Sequence, residues 1–232
     1  ALFLSTVSSV AFADGAHPVS GPYYLTAAGS TVKYCLQDAS YWQNSSGEPA
    51  GAAGQPLGGD EVFVICNGYG VNTPNSNDAA KSFAFSGAKL YVGDIEQSSM
   101  AVRKGSVTHH SGKNCVVDYG VDKLQLGPGS YTFGNASKCV FNVKGSITVV
   151  STSQDEPAVF NNDSRYGNQD VNWTGDLKSG SASAYLRLGS TTARKESGDL
   201  SFTFRLLGSA ASYTGTLEIL APNSSTTAST SR

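Results

Sequence analysis

Charge is what this chain has least of: 15% of its 232 residues are Asp, Glu, Lys or Arg, against the ~25% usual in soluble domains. Long surface helices need those residues on their wet faces, and no segment carries a helical period, so an α-helical architecture is disfavoured. The net charge is only −2. The cations are scattered, with Arg103-Lys104 and Arg194-Lys195 the only adjacent pairs. Nothing here forms the basic footprint that nucleic acid or an anionic membrane would need. No run reaches the roughly 18 consecutive apolar residues of a membrane-spanning helix, so no membrane span is expected. Histidine is scarce too: His17, His109 and His110 are the three, and no C-x-x-C pair exists, so a zinc site lacks its ligands. No motif asks for a cofactor.

Cysteine is limited to Cys35, Cys66, Cys115 and Cys139. Their spacing suits two disulfides in an oxidising compartment, with Cys35–Cys66 and Cys115–Cys139 the simplest of three connectivities. The N-terminus gives the same address. Ala1 to Val10 is an apolar, small-residue run ending in Ala11-Phe12-Ala13, followed by Asp14-Gly15. An A-x-A site after such a run reads as the tail of a secretory signal peptide. The expected localisation is therefore secreted or cell-surface. The competing reading is a first strand, because Leu2, Leu4, Val10 and Phe12 share one parity.

What the chain has in quantity is glycine, 26 residues of it, in a repeated setting. Val143-Lys144-Gly145-Ser146-Ile147-Thr148-Val149-Val150 places an apolar residue, then x-Gly-x, then alternating apolar positions. Trp173 to Leu177 and Tyr213 to Ile219 repeat it, with weaker copies around Gly87 and Gly198. Each reads as a short strand entered through a glycine, with Ile147 and Val149 on a buried face and Ser146 and Thr148 on a wet one. Recurrence at short, irregular spacing predicts an all-β solenoid, a parallel β-helix with rungs of roughly twenty residues, some doubled or bearing loops. A β-sandwich is the alternative, but hairpin turns are rare: Asn67-Gly68 is the only Asn-Gly pair. The expected organisation is a signal remnant over 1–13 and an N-terminal β segment or cap over 14–81 with a long Gln43 to Gly59 loop. The β-helix follows over 82–220, and a disordered Ser/Thr-rich tail over 221–232. Within the cap, Gly21 to Leu25 and Ser30 to Leu36 read as strands.

The phrase Tyr213 to Ile219, the run from Gly145 to Phe160 and Trp173 to Leu177 resemble the passenger regions of autotransporter-like surface proteins. They are similar also to the extracellular repeat proteins of Verrucomicrobia-type bacteria. The likeness spans Phe83 to Leu220, and it implies a right-handed β-helix used at the cell surface.

Some β-helices cleave polysaccharides, which requires carboxylates clustered on neighbouring strands with Arg or His beside them. The acidic pairs here are Asp60-Glu61 and Asp155-Glu156, whose members point to opposite faces if they lie in strands. No Asp-Asp, Asn-Thr-Asp, Gly-His or Arg-Ile-Lys signature is present, and no Gly-x-Ser-x-Gly elbow. His109-His110 sits beside Ser, Gly and Lys and reads as a solvated turn. The expectation is a non-catalytic structural or adhesive protein, with surface glycans or self-association as partners. A pilus-type subunit with an N-terminal donor strand and a polysaccharide-binding or polysaccharide-cleaving protein are the alternatives. The ligand-binding candidates are Tyr34, Tyr41, Trp42 and Tyr69, whose rings beside a polar loop suit sugar stacking. The competing role for them is to cap the first rung against water.

Overall fold

The computed structural model describes residues 22–31, 35–72, 83–93, 103–110, 115–134, 139–162, 169–189 and 202–220. Two strands open the chain, β1 (Tyr23–Leu25) and β2 (Trp42–Gln43), and a three-strand circuit is then repeated. The first circuit is β3 (Val62–Ile65), β4 (Gly70–Asn72) and β5 (Phe83–Ala84), and the second is β6 (Lys89–Val92), β7 (Gly105–His110) and β8 (Cys115–Asp118). The third is β9 (Leu124–Leu126), β10 (Gly129–Gly134) and β11 (Cys139–Lys144), and the fourth is β12 (Ile147–Val149), β13 (Ala158–Asn162) and β14 (Gln169–Trp173). A fifth follows with β15 (Leu177–Ser179), β16 (Tyr185–Leu188) and β17 (Phe202–Leu206), and β18 (Thr216–Ile219) belongs to a further, partial one. First strands of successive circuits pair with one another, as do second and third strands, giving sheets of seven, six and five strands. Every pairing between named strands is parallel except β1 with β2. This is a parallel β-helix.

Register turns the alternation of each strand into columns running along the axis. Phe63, Leu90, Leu124, Ile147 and Leu177 stack in the first sheet, and Ile65, Val92, Leu126 and Val149 form the column beside them. In the second sheet Val71, Val107, Tyr131, Phe160 and Leu188 align. In the third, Cys115, Phe141, Val171 and Phe204 form one column and Phe83, Val117, Val143, Trp173 and Leu206 the other. These columns make a single core. Rings dominate its middle: Phe133 lies 5.1 Å from Phe141, and Phe160 lies 5.3 Å from both Trp173 and Phe204. Burying each such side chain contributes roughly 1.5–3 kcal/mol. From Phe63 the steps to Leu90, Leu124, Ile147 and Leu177 are 27, 34, 23 and 30 residues. They exceed the expected rung because three strands and their connections fit into each circuit.

The recurrent glycine stands at the corner where the third sheet hands over to the first. A Cβ on Gly145 would run into the carbonyl of Gly120, one on Gly175 into that of Gly145, and one on Gly208 into that of Gly175. Consecutive circuits therefore touch backbone on backbone at this corner. Gly145 also has φ +103°, which L-residues rarely adopt. The carbonyl of Gly145 accepts the indole N–H of Trp173 at 2.6 Å, which satisfies a polar group buried in the next circuit. Ile147 and Val149 point inward as expected, and Thr148 stands on the outer ladder between Gln125 and Lys178. Ser146, expected to be wet, is buried, because it belongs to the glycine corner and not to the strand. Each connection from the second sheet to the third lies outside the described residues, as do the loop 163–168 and the copy around Gly198.

The end that precedes β3 is closed. β1 adds in parallel to β3, and β2 then turns antiparallel to β1 and ends the sheet. Trp42 packs edge-on to Phe63 at 5.1 Å, with Leu36, Ala39 and Leu57 buried in the same core. Part of the strand expected at Ser30 to Leu36 is instead turned, with 3-10 segments at Gly29–Thr31 and Cys35–Gln37. The Ser30 and Thr31 hydroxyls donate to the carbonyls of Ala27 and Ala28, each at 2.8 Å, and these local bonds bend the backbone away from a ladder. No disulfide is present among the described residues. Cys66 and Cys115 are buried, and the side chains of Cys35 and Cys139 lie outside the described set. Cys115 aligns with Phe141, two residues past Cys139. Strand spacing and rise put the Cα atoms of Cys115 and Cys139 about 8 Å apart, beyond the ~7 Å that a disulfide spans.

Candidate functional site

The aromatic residues singled out as a glycan platform are divided by the fold. Trp42 is fully buried, so no face of its indole is open to a ligand. Tyr41 and Tyr69 are partly buried and packed against the core, Tyr41 in the cap and Tyr69 at the corner between β3 and β4. Tyr34 lies outside the described residues. Tyr41 also holds the cap by its backbone, its carbonyl accepting from the Thr26 amide at 3.0 Å. In Trp42 the geometry is that of a cap.

Among the described residues, the acidic side chains do not converge either. Glu156 faces Arg103 at 3.9 Å and Asp170 faces Arg205 at 3.4 Å. Among the described residues no three of His, Cys, Asp and Glu come together in a way that could hold a metal ion. The sequence reading missed one cluster with chemistry in it. His109, expected in a solvated turn, is on β7 and is buried, because β7 runs on through His110 in register with β10. Its Nε2 lies 2.8 Å from the Tyr119 hydroxyl and 2.5 Å from that of Tyr131. Phe133 is stacked on the imidazole at 5.8 Å, and Phe83 lies at 6.0 Å. Burial raises the ionisation of both tyrosine hydroxyls well above the ordinary range. With the cluster closed by aromatic rings, these polar groups specify how the second and third circuits stack. Only the folded coil discloses it, since Tyr119 and Tyr131 are 10 and 22 residues from His109 in sequence.

The outer faces carry ladders of polar side chains. On the third sheet Val116, Asn142, Asn172 and Arg205 align; Asn172 donates to Asn142 at 3.1 Å and Arg205 donates to Asn172 at 3.3 Å. On the second sheet Arg187 Nε donates to Glu218 at 2.6 Å and the Tyr185 hydroxyl donates to the same carboxylate at 3.1 Å. The guanidinium holds the Glu218 carboxyl below its ordinary range. On the first sheet Lys178 reaches Asp122 at 2.6 Å.

The end beyond β17 differs from all of this. Leu217 follows Leu186 in register and Ile219 follows Leu188, so both occupy inward columns. Leu186 is 1% exposed, whereas Leu217 is 45% and Ile219 54%. Leu207, just past β17, is 61% exposed. Among the described residues, the second-sheet column therefore ends in exposed side chains at β18. In comparisons with known proteins, no family model, no curated protein and no solved structure matches this chain.

Proposed function

We propose that this protein is an exported, non-catalytic scaffold of the cell surface or extracellular space, structural or adhesive in role. The observation that carries the reading is the form of the column. One end is sealed by the Trp42 cap, and the sides offer ladders of Asn, Arg, Glu, Tyr and Lys. The column's polar sides suit repetitive, hydrogen-bonded contact with surface glycans or with copies of itself. Export is supported by the apolar run closed by Ala11-Phe12-Ala13, and the resemblance to extracellular repeat proteins points the same way.

The test is made on the protein produced in its own cells. Fractionation and N-terminal sequencing should find it at the surface or in the medium, beginning at Asp14. Surface adhesion should be lost when the gene is deleted. A cytoplasmic protein that retains Leu2 to Phe12 would overturn export. An exported protein that retains the run would favour the donor-strand reading, in which Leu2, Leu4 and Phe12 complete a neighbour's sheet.

A further inference from the structure

We infer that Asn67 is a site of spontaneous covalent modification, deamidated through a succinimide formed with Gly68, and that the fold sets the rate. Asn67-Gly68 is the only Asn-Gly pair in the chain, and the structure places it at a corner of the column. β3 and β4, the strands it joins, belong to different sheets. The φ angle is 61° at Asn67 and 71° at Gly68, and the Tyr69 amide donates to the Cys66 carbonyl at 3.0 Å. Two left-handed residues closed by that bond make a type I′ turn, whose first central position Asn tolerates better than most L-residues. Both residues are exposed to water, and Gly68 has no Cβ to shield its nitrogen from the Asn67 side chain. Asn44 is the contrast. Its Oδ1 accepts from the Ser46 and Glu48 amides, each at 3.0 Å, and its Nδ2 donates to Glu48 at 2.8 Å, which fixes that amide in place.

The reaction consumes only water. The Gly68 nitrogen gives up its proton to hydroxide and attacks Asn67 Cγ. The bond from Cγ to the side-chain nitrogen breaks, and that nitrogen takes up a proton and leaves as ammonia. Water then opens the five-membered imide. Opening at Cγ gives aspartate; opening at the main-chain carbonyl gives isoaspartate, in which the chain runs through Cγ and is one bond longer. The fold controls the first step. The Gly68 N–H donates to the Lys104 carbonyl in the next circuit at 2.8 Å, so the nitrogen is engaged until the corner opens. Such openings at exposed turns cost far less than global unfolding, so the folded chain reacts, but more slowly than the unfolded one. The isoaspartyl product disturbs the column. Tyr69 packs against the core and its carbonyl accepts from the Ser106 amide at 3.1 Å, and beyond it Gly70 and Val71 lie in register with Ser106 and Val107. A two-residue turn held on both sides has no slack for an extra bond, so Tyr69 and the start of β4 are displaced.

Peptide mass mapping of the full chain tests this, in mildly alkaline buffer with and without guanidinium chloride. The expected result is the mass gain of exchanging an amide for an acid at Asn67 in both conditions, slower in the folded chain by about tenfold or more. A protein isoaspartyl methyltransferase should label part of the product. The isoaspartyl fraction should melt below the parent. The Asn67→Asp variant keeps the backbone length and a residue that accepts the left-handed region, and should melt with the parent. Asn67→Gly keeps the turn, lacks the amide and should gain no mass there. A folded chain unchanged at Asn67 after the unfolded chain has converted, equal rates in the two conditions, or an isoaspartyl fraction as stable as the parent would overturn the inference.

Discussion

Ile147 and Thr148 are neighbours in sequence and opposites in environment. Ile147 is fully buried between Leu124 and Leu177, whereas Thr148 stands outside between Gln125 and Lys178. Ile147→Asp puts a carboxylate where no cation can reach it and should unfold the protein at room temperature. Thr148→Glu, beside Lys178, should change stability by less than about 0.5 kcal/mol. Urea melts compare the two; equal losses would contradict the assigned faces. The buried tyrosines make a prediction about pH. Burial keeps the Tyr119 and Tyr131 hydroxyls protonated above the range in which an exposed tyrosine ionises, near pH 10. Below about pH 10 the folded and unfolded chains both keep these protons and the contribution is complete. Above it the unfolded chain releases protons that the core retains, so stability falls by about 1.4 kcal/mol per pH unit for each tyrosine. The Tyr119→Phe, Tyr131→Phe double variant should lose this part of the alkaline slope in melts between pH 9 and 11. An unchanged slope would place the hydroxyls in contact with water.

Among the elements, the glycine corner and the cap are the most exacting. Gly175→Ala brings a methyl against the Gly145 carbonyl, which already serves Trp173. The expected cost is about 1–3 kcal/mol. Gly59→Ala is the comparison, because the nearest atom to its Cβ would be the Ser86 carbonyl oxygen at 3.9 Å, and it should be nearly neutral. Trp42→Ala opens the capped end above Phe63 and should cost about 3–5 kcal/mol, read as a shift in urea midpoint. These same elements show how far the sequence could be read. Gly145 and Gly175 were legible because alternating apolar residues follow them. Gly208 does the same work but leads into Ser209-Ala210, so nothing local marks it. The alternation from Ser30 to Leu36 was legible too, but misleading, since hydroxyl bonds to Ala27 and Ala28 turn part of the chain there. His109 was hidden by its polar neighbours, because its partners Tyr119 and Tyr131 come to it only through the winding of the coil.

At the scale of the whole molecule, short strands returning through glycine corners gave the solenoid, and that much the sequence could carry. The cap could not be read the same way, because Trp42 looks like any other apolar position in a strand and only its place against Phe63 marks it. The β-helix places each core residue next to residues one circuit away and never in a facing sheet of a sandwich. Methyl NOE spectroscopy on protein labelled at isoleucine, leucine and valine methyls measures this directly. The account predicts contacts from Ile147 to Leu124 and Leu177, from Ile65 to Val92, and from Ile219 to Leu188. Contacts from Ile147 to residues of adjacent hairpin strands, with none to Leu124 or Leu177, would contradict it.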